Sequence, residues 1–158
     1  MTVAPARREK RAHAPLVVCL AGNPNVGKSS LFNRLVEGDA ETANYPGITV
    51  DVAVTTGEWD GREVTVVDLP GAYSFGARSR DERLAWEFLF SQRPGVVVAV
   101  VDATNLARNL FMVLQLIDLG FSVVVALNLM DEARRRSTEI DRLCLSVSSV
   151  CRSSAPWR

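Results

Sequence analysis

The sequence predicts an α/β domain built on a doubly wound, mostly parallel sheet. Three observations predict it. Strand-like apolar runs alternate with segments of helical period along most of the chain. Val96–Val101 is almost entirely valine, the composition of a strand covered on both faces. The first strand runs directly into a glycine-bearing loop that opens a helix.

The elements follow in order. Leu16–Ala21 reads as a short buried strand, and Lys28–Val36 as a helix with Leu31, Phe32 and Leu35 on one side. Residues 37–49 are polar and punctuated by Gly and Pro, which predicts an exposed loop. Val50–Glu58 and Arg62–Leu69 read as strands joined through Trp59-Asp60-Gly61, and Asp-Gly between such runs predicts an antiparallel hairpin. Ser79–Ser91 reads as a helix anchored by Leu84, Phe88 and Leu89. Asn105–Leu119 reads as another, stopped by Gly120. Phe121–Leu127 is a further buried strand. Beyond Asp131 the pattern weakens to a helix over Glu132–Leu143 and a marginal strand over Leu143–Val150.

At 158 residues, 47% hydrophobic and 23% charged, the composition is that of one globular domain. The expected organisation is a disordered basic arm over 1–14, a folded domain over 15–145 and an irregular tail over 146–158. Residues 15–131 carry eight basic and fourteen acidic groups, so a clustered basic face for nucleic acid is not expected. The arm, with four basic groups and one acidic, reads as a solvated segment, with a weak contact to anionic lipid as the other reading. No apolar run reaches the length of a membrane span, and Leu16–Ala21 is too short for a signal peptide. Cys19, Cys144 and Cys151 are odd in number and lack metal-ligand spacing, which points to a reducing compartment, with Cys19 as a small core residue.

Four motifs carry chemistry. Gly22-Asn23-Pro24-Asn25-Val26-Gly27-Lys28-Ser29, followed by Ser30, matches G-x-x-x-x-G-K-[ST] between a strand and a helix. The glycines permit a tight loop whose backbone N–H groups face phosphates, and the helix N-terminus adds partial positive charge. Lys28 is expected exposed at the loop, reaching the β- and γ-phosphates, and Ser29 at Mg²⁺. Sixteen of the eighteen basic residues are arginine and Lys10 lies in the arm, so Lys28 stands as the one lysine of the body. That suggests a point-charge role which arginine's fork does not fill.

Asp68-Leu69-Pro70-Gly71 ends the third strand. The motif reads either as a strand exit, or as a carboxylate for Mg²⁺ with a backbone N–H at Gly71 for the γ-phosphate. Thr49, after Gly47 and Ile48, reads either as a β-branched residue entering a strand or as a switch threonine that completes the Mg²⁺ shell. Asn128-Leu129-Met130-Asp131 closes the last strong strand. Asp131 reads either as a helix cap or as the acceptor of guanine N1–H and its 2-amino group, with Asn128 tying this loop to the phosphate loop. Their order on the chain predicts a P-loop domain that binds GTP and GDP with Mg²⁺, with Lys28 and Thr49 serving hydrolysis.

These residues resemble the translation-factor-related P-loop GTPases, most closely the N-terminal G domains of the bacterial ferrous iron transport protein B family. The resemblance covers about residues 16–145 and rests on GNPNVGKSSLFN (22–33), NYPGITVD (44–51), DLPGAYSF (68–75), SRDE (79–82) and NLMD (128–131). It implies slow GTP hydrolysis at the cytoplasmic face of a membrane, a following helical domain, and a membrane domain that moves Fe²⁺. It implies a K⁺ ion near the phosphates with Asn25 as ligand. Ala72 stands where Ras-like switches place a water-orienting glutamine, which predicts slow hydrolysis. Leu129 replaces a lysine that covers the base, which predicts looser nucleotide. Ser153-Ser154-Ala155 is the one candidate for the serine-alanine loop beside the base. The chain therefore reads as a truncated G domain, expected to leave apolar sheet surface uncovered and to be marginally stable. Two other readings stay open: a nucleotide-binding regulatory module without turnover, and a ribosome-assembly or tRNA-modification GTPase.

Overall fold

A computed structural model describes residues 15–35, 41–44, 51–73 and 79–141. Six strands form one sheet: β1 (Leu16–Gly22), β2 (Glu41–Asn44), β3 (Asp51–Trp59), β4 (Arg62–Asp68), β5 (Val96–Asp102) and β6 (Val123–Asn128). Their order is β2-β3-β4-β1-β5-β6. β1 lies parallel to β4 and β5, β5 parallel to β6, and β2-β3-β4 are antiparallel. The helices are α1 (Lys28–Leu35), α2 (Arg80–Gln92), α3 (Leu106–Asp118) and α4 (Met130–Arg135).

Local chemistry accounts for the boundaries. Asp60 and Gly61 both take positive φ, 49° and 76°, the conformation of a two-residue hairpin turn that matches strand twist. α2 starts in a reciprocal capping box: the Glu82 amide donates to Ser79 Oγ at 3.1 Å, and the Ser79 amide donates to the Glu82 carboxylate at 3.4 Å. Its end is a left-handed Arg93, whose guanidinium lies over Phe90 and Phe121 at 5.3 and 5.8 Å from the ring centroids.

Two apolar layers hold the sheet between helices. On one face Cys19, Val67, Val97 and Ala99 pack with Phe88 and Leu89 of α2 and Met112 and Leu116 of α3. On the other, Val18, Leu20, Val64 and Val66 pack under Phe32 of α1. Cys19 is fully buried as expected, and burial pushes its thiol up to about 12. Val124 of β6 is 54% exposed.

Two expectations need correction. The loop over 37–49 contains a strand: Glu41–Asn44 pairs with β3, from Glu41↔Val54 to Asn44↔Asp51. The reason is backbone pairing along the open edge of β3, which needs no apolar pattern in the added strand. The helix over Glu132–Leu143 ends at Arg135. Three consecutive arginines follow Ala133, which is the one buried residue of α4, so no apolar stripe rewards further turns. The Ser137 and Thr138 amides instead close on the carbonyls of Arg134 and Ala133 at 3.0 Å each, with Ser137 at φ 54°. The strand over Leu143–Val150, the arm over 1–14 and the tail over 146–158 lie outside the described residues. Among those described, no helix is long and apolar enough to cross a membrane.

Candidate functional site

The site gathers at the carboxyl ends of β1, β4, β5 and β6. β1 delivers the loop that begins at Gly22. A Cβ there would lie 2.7 Å from the Val100 carbonyl oxygen of β5 and 3.0 Å from Val26, so only glycine lets the two strands run this close. Asn25 takes φ 65°, a conformation asparagine tolerates, and Gly27 takes φ 83°. The Gly27 carbonyl then accepts the Leu31 amide at 3.0 Å, which starts α1.

Lys28 was expected to be exposed at this loop. It is not: its side chain is 10% exposed and makes an ion pair with Asp68, itself 8% exposed. Ser29 Oγ donates to the other carboxylate oxygen of Asp68 at 2.8 Å. Sheet pairing causes the convergence, because the register Leu20↔Asp68 brings the end of β4 beside the start of the loop. A lysine held this far from water needs a charged partner, and Asp68 supplies it.

The chain after Asp68 stays against the loop. The amides of Leu69 and Ala72 donate to the carbonyls of Leu20 and Gly22, each at 3.1 Å. A Cβ on Gly71 would meet Pro24 at 3.2 Å. Ala72 is 3% exposed, while Tyr73 is 45% exposed and carries the Arg108 guanidinium 4.4 Å above its ring. Asn23 is buried, and its Oδ1 has no hydrogen-bond partner among the described residues.

β6 brings the fourth motif. Asn128 Nδ2 donates to the Val26 carbonyl at 2.8 Å, tying the two loops together as the sequence reading expected. The contact is tight, since a Cβ on Gly27 would lie 2.3 Å from the same nitrogen. Leu129 adopts φ 57° as the residue before α4 and makes no side-chain cap. Asp131 is therefore not the N-cap. It stands in the first turn, 74% exposed, with Arg135 Nη2 on its Oδ2 at 2.7 Å. That hydrogen bond, and then the Glu132 backbone, hold its carboxyl below the usual carboxylate range.

The structure thus ties Asp68 and Asn128 to the phosphate loop, and the loop, Ser30, Gly71 and Asp81 line a cleft of about 380 Å³. Gly47, Ile48, Thr49 and the Ser153-Ser154-Ala155 segment lie outside the described residues. One residue of the cleft wall was not anticipated as part of the site: Asp81, from the first turn of α2. The sequence marks the start of that helix but not where in space it begins. Ser29 and Asp68 present hard oxygen donors 2.8 Å apart, the donor chemistry Mg²⁺ takes alongside phosphate oxygens.

A mostly parallel sheet with this loop, this strand-end carboxylate and this asparagine tie defines the chain as a P-loop G domain. Residues 16–151 match the family model described as ferrous iron transport protein B, and the chain belongs to that family. It is 46% identical over 103 residues to the Fe(2+) transporter FeoB of Methanocaldococcus jannaschii, covering 65% of this chain and 15% of that protein. It is 39% identical over 140 residues to the Fe(2+) transporter FeoB of Escherichia coli, covering 86% of this chain and 18% of that one. The chain thus spans less than a fifth of the length of these curated relatives. Among solved structures, the FeoB G domain of Methanococcus jannaschii superposes with a TM-score of 0.75 at 37% identity, over 87% of this chain and 82% of that one. An S. thermophilus NFeoB mutant bound to GDP superposes with a TM-score of 0.74 at 38% identity, over 84% of this chain and 52% of that one.

Proposed function

We propose that this domain binds GDP and GTP with Mg²⁺, hydrolyses GTP slowly, and serves as the switch of a ferrous iron transporter. The observation that carries the reading is the convergence of Lys28 and Ser29 on Asp68 at the mouth of the phosphate loop, with Asn128 fastening the base motif to Val26. In this reading the loop N–H groups and Lys28 hold the β- and γ-phosphates, and Asp131 accepts the two guanine donors. Ser29, Asp68 and Thr49 would hold Mg²⁺, which would neutralise charge on the phosphate oxygens. Gly71 offers its N–H to the γ-phosphate from the opposite wall.

Asn25 is proposed as a K⁺ ligand; it is exposed on the loop, with φ 65°. Slow turnover is supported by Ala72, whose methyl offers no group to orient water and whose amide is committed to Gly22. The same observation favours the second reading, a nucleotide-sensing module without turnover. A related solved structure is the cytosolic domain of the T. maritima FeoB iron transporter, 36% identical with a TM-score of 0.76. On that basis the domain works at the cytoplasmic face beside helical and membrane-spanning parts, and Fe²⁺ is the cargo of the membrane part.

Titration with a fluorescent GDP analogue tests the reading. Lys28→Ala is expected to lose at least about tenfold in affinity, the cost of a charge-assisted contact. The variant also strands Asp68 beside Ser29 alone, so its melting curve must be recorded with the titration. A folded Lys28→Ala protein that binds GDP as tightly as the parent would overturn the assignment.

A further inference from the structure

Seven of the nine residues that line the cleft belong to the phosphate loop and the first turn of α1; the other two are Gly71 and Asp81. The charges are set out unevenly. Lys28 is already paired with Asp68, whereas Asp81 makes no hydrogen bond or ion pair among the described residues. Helix capping does not occupy it either, because Ser79 and Glu82 close the start of α2 between them. An uncommitted carboxylate therefore lines the cleft that the phosphate loop forms.

A carboxylate accepts hydrogen bonds and donates none, so it gives a phosphate oxygen nothing in return for their repulsion. Asp81 and Gly71 are the lining residues that come from outside the loop and α1, and the proposed function places the terminal phosphate at Gly71. In that reading Lys28 and the loop amides hold the β- and γ-phosphates and Gly71 meets the γ-phosphate, so the charge added in going from GDP to GTP enters the cleft that Asp81 lines. We infer that Asp81 is a specificity-determining residue that weighs against the terminal phosphate and biases the domain toward its diphosphate state. The inference rests on the guanine-nucleotide reading above and adds to it the residue that sets the ratio of the two affinities. A helix-dipole role for Asp81 in the first turn of α2 would change stability alone and leave that ratio where it was.

The test is the dissociation constant of fluorescent GDP and of a non-hydrolysable GTP analogue, each with Mg²⁺, for the full chain and for Asp81→Asn and Asp81→Glu. Asp81→Asn is expected to tighten the triphosphate about fivefold and leave GDP within about twofold, the scale of a solvent-facing charge pair. Asp81→Glu is expected to keep the parental ratio, and the gain in Asp81→Asn should shrink at high ionic strength. An unchanged ratio in Asp81→Asn would overturn the inference. So would weaker triphosphate binding in that variant, which would mean that the carboxylate acts through a cation. Failure of the parent to bind either nucleotide would overturn the guanine-nucleotide reading itself, and this inference with it.

Discussion

Gly27 and Asn128 are separated by a hundred residues in sequence and meet at the centre of the site. An alanine at 27 must push Asn128 Nδ2 from 2.3 Å, which breaks its 2.8 Å bond to Val26, and must also hold φ at 83°. Together these should cost about 2–3 kcal/mol. Denaturant titration of Gly27→Ala, Asn128→Ala and the double variant separates the two terms. We expect a coupling of about 1 kcal/mol, because removing Asn128 leaves only the backbone strain to pay; strictly additive costs would show that the two residues do not meet as described. At this scale much of the site was legible. Gly22, Lys28, Ser29, Asp68 and Asn128 announce themselves by spacing, since each backbone approach or phosphate contact restricts the residue type. Asp81 was not legible, because its role depends on where α2 begins in space. The burial of Lys28 was missed for a related reason: a motif names the ligand of a lysine but not the carboxylate that holds it in the fold.

The elements divide along a similar line. β1, β5 and β6 were readable because valine-rich runs signal burial, and the β3–β4 hairpin because Asp60-Gly61 permits one turn geometry. β2 was not, since four residues paired through backbone along an edge leave no apolar pattern. α4 was read too long because a run of polar and charged residues permits a helix without rewarding it. α2 bears on function as well as fold, because it sets the position of Asp81. Its capping box should hold that position: Ser79→Ala removes the acceptor of the Glu82 amide and is expected to cost about 1 kcal/mol in denaturant unfolding. A loss of less than about 0.3 kcal/mol would mean that the box contributes little to the start of α2.

Across the whole molecule, parallel pairing of β1 with β4 and β5, and of β5 with β6, aligns four strand ends into one rim. Phosphate loop, strand-end carboxylate and base motif, far apart in sequence, are neighbours on that rim, as open α/β sheets place their ligands. Membership of the ferrous iron transport protein B family adds the setting in which such a switch is used. The central claim is that the rim recognises guanine, and it turns on Asp131, whose carboxylate stands on the first turn of α4 with Arg135 beside it. Competition of GDP, XDP and ADP against a labelled nucleotide, in the parent and in Asp131→Asn, measures that claim directly. The parent should prefer GDP over ADP by more than about tenfold, because a mismatched base leaves desolvated polar groups unpaired. In Asp131→Asn an NH₂ donor meets guanine's own amino group, so GDP should weaken while XDP, with an oxygen at that position, binds in its place. A variant that keeps the parent's preference for GDP over XDP would contradict the account.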